Sequence, residues 1–154
     1  MHVHCPSAAS PVLPPRSAQL YVRPHNFSMR VFEAFKSFLA AMRASAAFGR
    51  AQRLSSDGSH EAALAVALAG LNLLREPYVN QSSAPEGSSL VSLTVFAEQS
   101  AASLGRKGPP LADLEKAAKF LESMVGQSGQ ENQTAYAQLE YIKSRIATRA
   151  TSAA

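Results

Sequence analysis

His60 is the residue best placed in this sequence for acid–base chemistry. Asp57, Ser59 and Glu61 stand within three positions of it, so a base, a hydroxyl and two carboxylates share one short stretch. A histidine that titrates near neutral pH beside a hydroxyl is the raw material of nucleophilic catalysis. All four belong to a single helix-start turn, however, where Ser59 has a simpler role in capping free amides and Glu61 in facing the positive helix end. A second donor group, His2, His4 and Cys5, forms an HVHC tip. It lacks the fourth ligand and the rigid frame that zinc or copper takes. GRKGPP at 105–110 joins two glycines to Arg106 and Lys107, but Pro109 and Pro110 have no amide to offer a phosphate. The rest of the inventory holds no HExxH, no glycine-rich phosphate loop and no nucleophile elbow. No catalytic residue, cofactor site or metal site is assigned, and the expectation is a non-enzymatic chain.

Lys36, Arg43 and Arg50 repeat every seven residues. Seven residues make nearly two helical turns, so these cations line one side of a helix and can meet a row of anionic groups. Next to them, Val31, Phe35, Phe38, Met42 and Ala46 recur at steps of four, three, four and four, flanked by Phe32 and Leu39. A basic row beside an apolar stripe suits an anionic lipid surface, and an arginine-bearing, acid-poor amphipathic helix also has the make-up of a mitochondrial import segment. The plainer expectation is that Phe35 and Phe38 pack into the core, with Leu68 of the next helix, and leave the cations as a solvated rim. Arg53 falls outside the seven-residue register.

The charge is unevenly placed. The chain of 154 residues carries +4 overall, but residues 1–56 hold seven basic side chains against Glu33 alone, a balance of +6, while residues 57–154 hold eight basic against ten acidic, a balance of −2. The acidic remainder and the absence of interleaved aromatic and basic residues argue against nucleic acid as a partner. Cys5 is the sole cysteine, which excludes an intrachain disulfide and fits a reducing compartment. No apolar run approaches the ~20 residues of a membrane span.

The elements that must carry these residues are helical throughout. Residues 1–28 hold five of the nine prolines and no periodicity, so they read as a disordered tail before a single helical domain over 29–154. Helix 1 is expected over Met29–Leu54. Helix 2 is the Ala/Leu run SHEAALAVALAGLNLLRE at 59–76, apolar around almost its whole circumference and stopped by Pro77, a helix that needs close neighbours on several sides. Tyr78–Gly87 has the composition of a loop. Helix 3 follows over Ser89–Leu104, closed by Gly105, although LVSLTV at 90–95 has the β-branching of a short strand. Leu111–Val125 and Glu131–Arg149 complete the set, separated by a Gly/Ser/Gln turn at 126–130. The fold class is all-α: about five helices in an antiparallel bundle or helical-hairpin array.

Ala51, Gly58, Ala63 and Gly70 place small residues where two helices would touch, with Leu54 at a large position. In this, residues 51–71 resemble a degenerate tetratricopeptide helical hairpin. His60 and Ala67 depart from the pattern, standing where that family carries aromatics, and no second repeat appears in 88–149. The resemblance implies a protein-binding scaffold with a concave groove.

The expected function is therefore a helical protein–protein interaction module: an adaptor, subunit or self-associating scaffold with Lys36, Arg43 and Arg50 at the rim of its interface. The alternative is a membrane-peripheral or organelle-imported protein that uses the basic amphipathic helix 29–53 as anchor or address, with an anionic membrane surface as its partner. The corresponding locations are the cytoplasm for the first and the mitochondrion for an imported form of the second. The two readings differ in what helix 1 does with its apolar stripe.

Overall fold

The computed structural model describes residues 25–128 and 132–152. Residues 1–24 of the expected 1–28 tail with its HVHC tip, residues 129–130 of the expected turn and Glu131 of the expected fifth helix lie outside them, while residues 25–28, expected in the tail, open the first helix. Among the described residues the chain forms five α-helices and no strand: α1 (His25–Ser56), α2 (His60–Leu74), α3 (Ala84–Leu104), α4 (Leu111–Ser128) and α5 (Gln133–Ser152). Each packs on its sequence neighbour, and α1 also lies against α3, which gives an antiparallel helical array. LVSLTV is helical, inside α3.

The joints follow from local chemistry. Gly58, with φ of 82°, turns the chain out of α1, and the amides of Gly58 and Ser59 donate back to the carbonyls of Ser55 at 3.1 Å and Leu54 at 2.8 Å. This is the paired closure that a left-handed residue makes possible, and glycine takes that conformation without a Cβ penalty. Gly105 ends α3 in the same way. Ser59 makes no side-chain cap; its carbonyl instead accepts the Ala63 amide at 2.9 Å. The expected loop at Tyr78–Gly87 is shorter than its composition suggests, because α3 starts five residues early. Ser83 precedes it with extended backbone, Pro85 sits in its first turn, and Glu86 follows, all residues suited to a helix start. Gly87 is required by packing: a Cβ there would run into the Phe120 ring of α4.

The core overturns one expectation. Phe35 and Phe38 are 56% and 48% exposed, whereas Ala44 and Ala51 of the same helix are fully buried. The side of α1 that meets its neighbours is a seam of small residues running through Ala40, Ala41, Ala44 and Ala51. Opposite it α2 presents Ala63, Ala67 and Gly70, so close that a Cβ on Gly70 would stand 3.0 Å from that of Ala47. Two small-residue surfaces bring the helix axes together, and a phenylalanine has no room between them. The larger side chains fill the layers beyond, with Leu71, Leu74, Leu90, Leu93, Leu114 and Ile142 buried and Leu68 half-buried against them.

Buried polar groups tie distant helices. The Ser37 hydroxyl of α1 donates to Glu86 Oε1 of α3 at 2.5 Å and accepts the Asn80 amide at 3.1 Å. Arg75, just past α2, grips the buried Asp113 carboxylate at the start of α4. Glu98, 1% exposed, takes Arg145 Nε at 2.8 Å and also Arg149, so one carboxylate of α3 holds two arginines of α5. Arg149 donates further to the Pro109 carbonyl. These hydrogen bonds hold the Arg75 and Arg145 guanidinium groups above their ordinary pKa.

Candidate functional site

With its alanine seam turned inward, the N-terminal half of α1 carries a ridge of large apolar side chains into solvent. Val31, Phe32, Phe35, Phe38 and Met42 all stand exposed along it. From Val31 to Met42 the ridge runs about 16 Å at 1.5 Å per residue. Beyond Met42 it gives way to Ser45, Ala46 and Gly49, so the apolar surface is confined to one end of the helix. A contiguous apolar patch with a polar border is the usual mark of an interaction surface. None of the described helices is long and apolar enough to cross a membrane.

A depression borders each side of the ridge. Towards α2 lies a crevice of about 250 Å³ lined by Lys36, Leu39, Ala40, Arg43, Leu73 and Tyr78. Towards α3 lies a groove of about 240 Å³, where Phe38, Met42, Phe48 and Pro85 face the hydroxyls of Ser45, Ser88, Ser89 and Ser92. The first is basic and the second carries no charge.

The three cations picked out by their spacing run along one edge of the apolar stripe. Lys36 follows Phe35, and Arg43 follows Met42, by about 100° around the helix, so both stand between ridge and seam. Lys36 Nζ lies 4.5 Å from the centre of the Phe32 ring and 5.7 Å from that of Tyr78, within cation–π range of both. Arg43 and Arg50 are exposed. Among the described residues none of the three has an ion-pair partner. Lys36 and Arg43 share the crevice, while Arg50 lies one heptad beyond it and beyond the end of the ridge.

The catalytic inventory around His60 disperses. His60 Nδ1 meets the Ser55 hydroxyl at 3.3 Å on the surface, and Glu61 turns to Arg106 at 2.8 Å. GRKGPP is thereby committed to structure at both ends, Arg106 on Glu61 and Pro109 under Arg149. No three His, Cys, Asp or Glu side chains gather as a metal set among the described residues.

Sequence reasoning missed Tyr78, which composition assigned to a loop, and the serine-lined groove. Tyr78 follows Pro77, whose ring ends any continuation of α2 and sends the next residue back across α1. The groove joins residues 44 positions apart in sequence, such as Ser45 and Ser89 with their hydroxyls 2.9 Å apart, and has no local signature. Searches against known protein families, curated proteins and solved structures find no match to this chain.

Proposed function

We propose that this chain is a non-catalytic, membrane-peripheral protein that docks on anionic bilayers with the N-terminal half of α1 lying in the interface. The observation that carries this reading is the exposed ridge Val31–Phe35–Phe38–Met42 with unpaired basic residues along one edge. An amphipathic helix in the interfacial plane has this arrangement: an apolar face that sinks to the acyl boundary and cations level with the phosphates.

Magnitudes indicate that both parts are needed. Each half-exposed ridge side chain gains about 1 kcal/mol on leaving water, so five of them supply about 5 kcal/mol. That is comparable to one myristoyl chain, which holds a protein only marginally. Three cations near an anionic leaflet add about 1 kcal/mol each. Docking should therefore be strong on anionic bilayers and marginal on neutral ones.

The same charges weigh against self-association through the ridge. Two copies brought face to face would oppose their basic edges, with Glu33 the lone carboxylate on the exposed half of α1. The packing of α1 favours an anchor over a removable import address. Ala44 and Ala51 are part of the core, and cleavage behind α1 would strip α2 and α3 of their shared neighbour.

A second reading rests on the serine-lined groove between α1 and α3. An apolar helix or extended segment of another protein laid against Phe38, Met42 and Phe48 could find hydroxyl partners there. The tetratricopeptide resemblance of residues 51–71 implies a scaffold role of this general kind, although the groove is lined by residues outside that stretch. Flotation of the full chain with phosphatidylcholine vesicles, with and without phosphatidylserine, separates the two. Capture by the anionic vesicles, lost in Phe35→Asp/Phe38→Asp, is the result expected for membrane docking. Failure to float with either composition leaves the scaffold reading.

A further inference from the structure

The basic crevice differs from a generally basic surface in ways that bear on what it binds. Lys36 and Arg43 stand about 10 Å apart along α1 and line one depression closed on the far side by Leu73 and Tyr78 of the neighbouring segment. Lys36 is held by two aromatic rings. Neither cation has a carboxylate within ion-pairing distance among the described residues, although Glu33 borders the adjoining hollow with Lys36. Elsewhere in the fold, Arg75, Arg106, Lys143, Arg145 and Arg149 have an acidic partner, while Lys107, Lys116 and Lys119 have none among the described residues; of these, Lys116 and Lys119 line a hollow on α4 that is remote from the ridge. Two cations without a carboxylate partner thus line one hollow beside the ridge.

We propose that this crevice is a headgroup seat: it takes the phosphate of an anionic phospholipid between Lys36 and Arg43, with Tyr78 and Leu73 as its wall, while the ridge takes the acyl region. The inference rests on the membrane-docking reading and deepens it. The seat lies level with the edge of the ridge, where phosphates stand when the apolar face reaches the acyl boundary. Arginine offers a planar pair of donors to a phosphate and lysine a point charge, so the two together fit a group with several acceptor oxygens. Arg53 is also basic and on α1, but its place outside the seven-residue register leaves it a diffuse contributor.

The test compares full-length Lys36→Gln, Arg43→Gln and Arg53→Gln, which remove the same charge from the same helix, on phosphatidylcholine vesicles containing phosphatidic acid. Thermal melts check that each variant folds. A cation acting only through the surface potential changes affinity about fivefold. One that hydrogen-bonds a phosphate changes it about tenfold to a hundredfold. The seat predicts the larger loss for Lys36→Gln and Arg43→Gln and the smaller one for Arg53→Gln. It also predicts that dihexanoyl phosphatidic acid, below its micelle concentration, shifts the NMR signals of Tyr78 and Arg43 while inorganic phosphate at the same concentration does not. Equal losses in all three variants would overturn the seat and leave membrane docking standing. Equal shifts with inorganic phosphate would reassign the crevice to free phosphate. Absence of binding to any vesicle would remove both the seat and the docking on which it rests.

Discussion

Met42 and Ala44 stand two positions apart on α1, about 200° around the helix, and have opposite surroundings: Ala44 is wholly buried while Met42 is 56% exposed. Small residues hold the fold together on this helix, and its large ones are left free. Phe35→Ser/Phe38→Ser should consequently change stability by no more than about 1 kcal/mol, as for surface positions. Ala44→Phe should cost about 1–3 kcal/mol or more by overpacking the seam. Urea unfolding followed by circular dichroism distinguishes these outcomes.

Two glycines make a matched pair for the helical packing. Gly87→Ala would drive a Cβ into the buried Phe120 ring and should cost about 1–3 kcal/mol. Gly126, inside α4, has open space where a Cβ would go, so Gly126→Ala should stabilise the chain by up to about 1 kcal/mol through helix propensity alone. Thermal melts of both variants check the contrast.

Much of this architecture is legible in the sequence. The five helices follow from apolar stripes and from punctuation by Gly58, Pro77, Gly105 and the Pro109–Pro110 pair. The orientation of α1 is not so readily read, because it carries two stripes at helical spacing, one of alanines and one of Phe, Val and Met. Hydrophobicity favours the second as core, and packing against Ala63, Ala67 and Gly70 selects the first. The signal was present in the small residues of α2, but it acts through their distance from α1. The same limit hides the Glu98 clamp, whose partners lie 47 and 51 positions away.

That clamp is a testable joint between α3 and α5. Glu98→Gln keeps the shape and removes the charge on which Arg145 and Arg149 converge. Breaking a fully buried pair costs about 3–5 kcal/mol; because both arginines reach solvent, the loss here should be about 2–3 kcal/mol. Glu140→Gln, at an exposed position of α5, should be neutral by the same urea titration.

Tyr141 lies near this cluster, and burial, followed by the negative charge of Glu98, raises its pKa above the ordinary 10.0. A raised folded-state pKa gives stability that is complete below the unfolded value and is lost as pH climbs through the folded one. The chain should therefore lose stability above pH ~10. Tyr141→Phe should show a smaller loss over that range, measured as the difference between wild-type and variant unfolding free energies against pH.

The chain contains no tryptophan, so one introduced at a chosen position reports that position alone. The most direct test of the account replaces Phe38 on the ridge in one variant and Tyr136 on the exposed side of α5 in another. Each is then titrated with phosphatidylserine-containing vesicles bearing brominated acyl chains. Docking through α1 predicts that Phe38→Trp emission moves to the blue and is quenched by bromine, while Tyr136→Trp emission does neither. An unchanged spectrum for Phe38→Trp, or equal quenching at both positions, would contradict it.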